Sequence, residues 1–247
     1  MKKFFSLLAV MMLTLFSVMA DSRDEAQIRQ MFAGHNQMIS ELNFKGMLRF
    51  YAPEYTGSDE DGTADTYNDI KKIAPITDAI EMMKDPQTAL KGVYIFYDIL
   101  SSSPEFFELE KEEAGNMKLL KEFFTPGLPF SKFMQISFTL TGDKPDDATL
   151  TEFKKLDNTP EGNAQVTRMQ QAVLKEINLT GIIGDMKKSL KKYVDSFVIK
   201  SISVSGNQAV VIYRTTDDSV CSETTSTLVK RNGQWLILKE VNKEVKN

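Results

Sequence analysis

The spacing of apolar and polar positions predicts helices in the first third of the chain. In residues 22–43 the apolar positions recur at steps of three and four, which indicates a helix with one apolar face. That face contains Ile28, Phe32, His35, Ile39 and Leu42. Residues 44–51 predict a second short helix, residues 55–67 a hairpin around an acidic turn, and residues 66–84 a helix kinked or restarted at Pro75.

The middle of the chain predicts mostly helices, together with one strand. From residue 85 to residue 131 the periodicity is helical, and helices are also predicted at 147–156 and 161–193, the last interrupted near residues 181–184. Residues 134–140 alternate strictly between apolar and polar side chains. Because successive side chains of a strand point to opposite faces, this alternation predicts a strand.

The end of the chain predicts an antiparallel sheet. Strands are predicted at 197–204, 209–213, 224–230 and 235–241. Glycine-containing turns separate the first pair and the last pair of these strands. We expect Trp235, which follows the last turn, to be a buried anchor of the final hairpin. Helices combined with these strands predict an α+β fold, an antiparallel sheet with packed helices.

Residues 1–20 have the pattern of a secretion signal. Lys2 and Lys3 precede an apolar stretch from Phe4 to Val18, and Val18-Met19-Ala20 fits the cleavage rule for small residues. The alternative is a membrane anchor, but about 15 apolar residues fall short of the roughly 20 that a spanning helix needs. We therefore expect a secreted or periplasmic protein of the bacterial cell envelope, without stable membrane insertion.

Composition and charge argue against several function classes. The 247 residues include 30 Lys and Arg against 34 Asp and Glu, so the net charge is −4 and nucleic acid is not expected as a partner. One Cys and one His provide neither a disulfide pair nor the ligands of a structural zinc site. The turn Asp59-x-Asp61-Gly62 resembles part of a calcium loop, but the first acidic ligand and the closing Glu are missing. The sequence therefore predicts no metal and no cofactor.

Three segments of the chain resemble a known superfamily. They are Met47–Gly57 followed by Asp61-Gly62, Val204–Val211, and Asn232–Leu238. In this order they are similar to the first hairpin, an inner turn and the last hairpin of the nuclear transport factor 2-like superfamily, which includes ketosteroid isomerases and polyketide cyclases. The resemblance implies a cone-like α+β domain with a curved sheet, built from residues 21–84 and 196–247. Residues 85–195 then form a helix-rich insertion or, alternatively, a separate domain.

The candidate site residues are polar side chains that the resemblance directs into the cone. His35 lies in the middle of the first helix, where the superfamily often points a side chain inwards, and Tyr51, Tyr55 and Tyr213 supply phenols. Ketosteroid isomerases use an Asp base with a Tyr and a protonated Asp. No Asp lies on the inward pattern of the last four strands, which reads Val, Ile, Ala, Thr and Leu. We therefore expect these four residues to bind a ligand, and we assign no catalytic residue.

Three function classes remain open. The leading interpretation is a non-catalytic protein that binds a small apolar or amphipathic ligand, or a protein partner, in the cell envelope. The alternatives are an isomerase/cyclase- or hydrolase-type enzyme that uses the cone cavity, and a purely structural or interaction protein. Buried polar groups around His35 favour the enzyme, an all-apolar cavity favours binding, and a filled cone with a large apolar surface patch favours the interaction protein.

The signal interpretation makes a prediction about the mature chain. Export by a bacterial host should remove residues 1–20, so intact-mass spectrometry should find a protein that begins at Asp21. Replacing Ala20 by Arg should block cleavage, because the cleavage rule requires a small residue there. A full-length protein that stays in the membrane fraction would support the anchor instead.

Overall fold

The structure, a computed structural model, describes residues 22–60, 62, 64–103, 111–217 and 220–245. The signal peptide predicted for residues 1–20 lies outside these residues, and so does Asp61 of the acidic turn. The chain forms two compact units. Of the described residues, unit 1 contains those from 22 to 71 and from 187 to 245, and unit 2 contains those from 72 to 186.

Unit 1 combines helices from the start of the chain with the sheet. Its helices are α1 (22–40), α2 (Phe44–Met47), a 3-10 turn (Leu48–Phe50), most of α3 (Tyr67–Ile73) and the second half of α10 (Leu179–Asp195). Its strands are β1 (Tyr51–Ser58), β2 (Ala64–Thr66), β3 (Val198–Ser205), β4 (Gln208–Asp217), β5 (Val220–Arg231) and β6 (Gln234–Val245). The predicted hairpin and the four predicted C-terminal strands are all present.

The six strands form one curved, open sheet in the order β2-β1-β6-β5-β4-β3. Strand β1 runs parallel to β6, and the remaining neighbours are antiparallel. The parallel pair brings the start of the chain next to its last strand. The predicted α+β class, with helices and a curved sheet, is therefore confirmed.

Helix α1 places its apolar face in the core of unit 1. Ile28 and Phe32 are buried, and the Phe32 ring lies 5.5 Å from the rings of both Phe197 and Tyr213. The helix ends at residue 40, earlier than predicted, because Leu42 takes a left-handed conformation with a φ of 59°. At the other end of α1, Asp24 forms an ion pair with Lys230 of β5 at 2.5 Å.

Strand β6 contains a β-bulge that changes which residues face the core. Thr227 of β5 pairs with Lys239, but the next residue, Leu228, pairs with Ile237, so Leu238 is an extra residue on β6. Before the bulge Trp235 and Ile237 are buried. After it the alternation shifts by one position, and Glu240 is more buried than its neighbours on either side. The burial of Trp235, which is 4% exposed, agrees with its predicted role as a core anchor.

In the described residues of unit 2 the regular secondary structure is helical, and short turns and loops connect the helices. It contains the end of α3, α4 (Ile76–Met83), α5 (Ala89–Ser102), α6 (Lys111–Phe123), α7 (Phe130–Thr141), α8 (Asp147–Lys154), α9 (Pro160–Glu176) and the first half of α10. Its core contains Val93, Phe123, Phe124, Phe133 and Val166. Within the described part of the chain, no helix has both the length and the apolar character that crossing a bilayer requires.

The units do not begin and end where the predicted insertion, 85–195, does. Residues 72–84 belong to unit 2, because α4 packs against α5. Residues 187–195 belong to unit 1, and the chain that follows them is fixed to the sheet. The Ser196 hydroxyl accepts a hydrogen bond from the backbone N–H of Thr216 on β4 at 2.8 Å.

The strand predicted at 134–140 is wrong, because these residues lie within α7. The apolar residues that α7 buries, Phe130, Phe133 and Ile136, follow helical spacing. The intervening hydroxyls bond to carbonyls four residues earlier, Ser137 to Phe133 and Thr139 to Gln135, each at 2.9 Å. Polar residues that satisfy the helix backbone in this way produce the alternation of a strand without forming one.

The predicted interruption of the last long helix lies a few residues earlier than residues 181–184. Helix α9 ends at Glu176, and α10 begins at Leu179. The Asn178 side chain accepts a hydrogen bond from the backbone N–H of Gly181 at 2.9 Å, as a helix cap does. The capping residue, rather than the glycines, determines where the new helix starts.

Two glycine substitutions test the packing of unit 2. A Cβ on Gly92 of α5 would lie 2.7 Å from the carbonyl oxygen of Ala79, so Gly92→Ala should destabilise the protein by about 1–3 kcal/mol. The matched control is Gly115→Ala in α6, where a Cβ meets nothing within 4 Å. That change should stabilise by about 0.5–1 kcal/mol through helix propensity. Chemical denaturation measures both, and equal effects would contradict the close approach of α4 and α5.

Candidate functional site

His35 is buried within unit 1, where it is bonded to a tyrosine. Its ring is 8% exposed, and Nε2 lies 2.8 Å from the Tyr51 hydroxyl. Nδ1 lies 3.3 Å from the Asn36 side-chain oxygen, so Nδ1 carries the proton and Nε2 accepts from Tyr51. The Phe50 ring approaches edge-on, with centroids 5.8 Å apart. Both ring nitrogens are therefore engaged in an otherwise aromatic environment.

Burial controls the protonation state of this pair. Desolvation lowers the pKa of His35 to about 4, although the hydrogen bond to Asn36 acts in the opposite direction. Desolvation also raises the pKa of Tyr51 well above its usual value, and the negative charge of Glu240 adds to this effect. At neutral pH the site therefore contains a neutral imidazole and a protonated phenol.

A second polar group in unit 1 is the carboxylate of Glu240 on β6. The Tyr213 hydroxyl donates to one carboxylate oxygen at 2.8 Å, and the Tyr55 hydroxyl donates to the other at 3.2 Å. Desolvation raises the pKa of both phenols, so they remain donors. Each carboxylate oxygen thus has one donor. One donor comes from β1 and the other from β4, and these strands lie on opposite sides of β6.

The Glu240 carboxylate has one more polar neighbour, Ser226. This serine is fully buried on β5 and is directly paired with Glu240 in the sheet register. Its hydroxyl lies close enough to lower the pKa of the carboxyl, yet it forms no hydrogen bond of ordinary geometry. Desolvation is stronger than the donors, so the pKa of Glu240 is raised above its ordinary value.

The two polar groups belong to one cluster. The rings of Tyr51 and Tyr55 are in edge-to-face contact with centroids 4.6 Å apart, which connects the His35 pair to the Glu240 pair. We call His35, Tyr51, Tyr55, Tyr213, Ser226 and Glu240 the polar cluster. Gly57 leaves the space that Tyr55 occupies, because a Cβ there would lie 2.6 Å from the Tyr55 hydroxyl.

The structure brings together all four residues selected from the sequence, and it adds two that were missed, Ser226 and Glu240. His35 pairs with Tyr51, while Tyr55 and Tyr213 meet at Glu240. The inward pattern read from the last strands contained Val, Ile, Ala, Thr and Leu and no Asp, and it did not include Glu240. Strict alternation from Trp235 places Glu240 outwards, whereas the bulge at Leu238 turns it inwards.

The cluster supports acid–base and hydrogen-bonding chemistry with ordinary side chains. The Glu240 carboxyl can accept a proton, and the Ser226 hydroxyl beside it can donate a hydrogen bond. No group of three or more His, Cys, Asp or Glu in the described residues is arranged to hold a metal ion. The one cysteine, Cys221, is buried in β5.

The opposite pKa shifts of His35 and Glu240 predict a pH dependence. The pKa of His35 is lower in the folded protein than in the unfolded chain, so its contribution to stability is lost as the pH falls from about 6.5 to about 4. The pKa of Glu240 is raised on folding, so its contribution is lost as the pH rises through the folded value.

Urea denaturation between pH 4 and pH 8 measures both effects. Relative to His35→Gln, the wild type should lose about 1–3 kcal/mol of unfolding free energy between pH 6.5 and pH 4. Relative to Glu240→Gln, the wild type should lose unfolding free energy as the pH rises. As His35 is the only histidine, one imidazole NMR signal should titrate near pH 4. A titration near 6.5 would contradict the buried pair.

Among known proteins, two solved structures resemble this chain, and they do so at low sequence identity and low TM-score. No family model matches the sequence, and no curated protein matches it. A solved NTF-2-like protein of unknown function from Silicibacter pomeroyi is 18% identical with a TM-score of 0.20, over 26% of this chain and 57% of that protein. Another, from Shewanella baltica, is 8% identical with a TM-score of 0.34, over 92% of this chain and 97% of that protein. These values assign no activity, ligand or site residue to the chain.

Proposed function

We propose that unit 1 binds a small ligand with an apolar body and one hydroxyl group, and that the polar cluster receives the hydroxyl. The observation that carries the proposal is the fully buried Ser226 hydroxyl, which lies beside the Glu240 carboxylate without a hydrogen bond of ordinary geometry. Buried polar groups are normally paired, and an unpaired one is costly. A ligand hydroxyl satisfies both neighbours, because it accepts from Ser226 and donates to Glu240.

The surroundings of the cluster suit the apolar part of such a ligand. The Tyr213 ring lies 4.6 Å from Phe197 and 5.5 Å from Phe32. Ile237 of β6 and Val211 of β4, two strands separated by β5, are fully buried. Ligand sites typically combine an apolar wall with a few polar groups that fix orientation, and this arrangement has both.

A specific observation also favours an enzyme of the isomerase or cyclase type. The sequence analysis took buried polar groups around His35 as the sign of an enzyme, and such groups are present. A carboxyl with a raised pKa beside two phenol donors is suited to moving a proton. We rank binding first because both nitrogens of His35 already have partners within the protein, so the imidazole is not a free base.

The proposal keeps the location and the family that the sequence suggests. We place the protein in the bacterial cell envelope, on the basis of the signal pattern in residues 1–20. We place it among nuclear transport factor 2-like proteins, on the basis of the three sequence segments and the curved sheet. A small apolar ligand is the preferred partner, and a protein partner is the alternative.

Binding is tested with three probes that share a ten-carbon body: 1-decanol, decanoate and n-decane. We expect 1-decanol to bind most tightly, because decanoate repels the Glu240 carboxylate and decane leaves Ser226 unpaired. Glu240→Gln and Ser226→Ala should each weaken decanol binding by about tenfold in isothermal calorimetry. Glu244→Gln is the matched control, since Glu244 lies exposed on the same strand and should have no effect.

The results of these experiments distinguish a hydroxyl-binding site from an enzyme. Equal affinity of the three probes, or an equal loss with Glu244→Gln, would contradict a hydroxyl site at the cluster. Incubating the protein with an extract of its own host tests the enzyme. Conversion of a small molecule by the wild type but not by Glu240→Gln would establish catalysis in place of simple binding.

A further inference from the structure

A second concave site lies in unit 1, away from the polar cluster. It is a groove of about 710 Å³ between α1, the 3-10 turn and the start of β6. We call it the Trp235 groove. Its polar lining includes Gln27, Gln30, Gln37, Arg49, Gln234 and Trp235. No member of the polar cluster lines it, so a ligand in this groove is independent of the proposed hydroxyl site.

The wall of the groove contains a donor and an acceptor that lack partners. The indole Nε1 of Trp235 and the side-chain oxygen of Gln27 are both buried without a hydrogen bond. Among the described residues, three buried side-chain polar atoms lack a partner, and two of them belong to this one groove. Because unpaired buried groups are unfavourable, this concentration indicates a place where a ligand supplies the missing bonds.

The rim of the groove adds one positive charge. Arg49 is exposed, and its guanidinium lies 4.8 Å from the centre of the Phe50 ring. It forms no ion pair within the part of the chain that the structure describes. A guanidinium that is oriented on an aromatic ring and lacks a counter-ion is well suited to a carboxylate.

From this chemistry we infer that the Trp235 groove binds a short peptide that carries a free carboxylate. A peptide group offers a C=O for the indole N–H and an N–H for the Gln27 oxygen, while the carboxylate pairs with Arg49. The remaining glutamine side chains can both donate to and accept from peptide groups. The apolar floor, which includes Met31 and Leu236, suits small aliphatic side chains.

Access to the indole requires a movement of one side chain. Neither unpaired atom is open to water, so a ligand reaches them only after a nearby side chain moves. Gln27 is half-buried on α1 and has several rotatable bonds, whereas Trp235 is fixed in the core. Binding should therefore change the environment of the indole N–H directly.

The single tryptophan makes this testable without any change to the protein. Trp235 gives the one indole N–H signal in a ¹H–¹⁵N spectrum of the labelled full mature chain. The probes are acetyl-trialanine with a free carboxylate, the same peptide as its C-terminal amide, and maltotriose. We expect a saturable shift of the indole signal with the acid, and binding at least about fivefold weaker with the amide.

Two arginine variants locate the charge. Arg49→Gln should make the acid and the amide bind equally, because the difference between them is the carboxylate. Arg231→Gln is the matched control: Arg231 is the last residue of β5, pairs with Glu54 and does not line the groove. It should leave the difference between acid and amide unchanged, and the spectra themselves report whether each variant is folded.

The following results would overturn the inference. One is the absence of any shift of the indole signal with either peptide up to about 20 mM, which excludes even weak binding. Another is a preference of wild type for maltotriose over the peptides, which would indicate a sugar site. The third is a difference between acid and amide that persists in Arg49→Gln.

Discussion

The one-residue bulge at Leu238 determines what the last strand presents to the core of unit 1. Without it, strict alternation would continue the face that contains Trp235 and Ile237 with Lys239. With it, the same face continues with Glu240, which meets a phenol from β1 and another from β4. A buried carboxylate is tolerated only when donors surround it. The bulge and the two tyrosines therefore depend on one another.

The main electrostatic property of unit 1 is that the pKa values of His35 and Glu240, two members of the polar cluster, are shifted in opposite directions. Desolvation acts on both His35 and Glu240, but it lowers the pKa of the base and raises that of the acid. Both groups are thereby moved towards their neutral forms. Such a site can present hydrogen-bond donors and acceptors to a largely apolar molecule with little net charge.

Much of the fold could be predicted because the four C-terminal strands bury alternate residues over most of their length. The strand predicted at 134–140 fails for a physical reason, since the hydroxyls of Ser137 and Thr139 bond back to the helix itself. His35 and the three tyrosines could be selected because a polar residue on an apolar face is visible in sequence. Glu240 could not, because a bulge depends on pairing with β5 and leaves no local signal in β6.

Gly57 shows how a position without a side chain can influence the chemistry of the cluster. The Tyr55 hydroxyl occupies the space where any other residue would place its Cβ. A larger residue would displace the phenol, remove one of the two donors to Glu240 and raise the pKa of that carboxyl further. The acidity of Glu240 is thus adjustable at a position that neither titrates nor forms a hydrogen bond through a side chain. Among homologous chains, the residue at this position would report the charge state of the site.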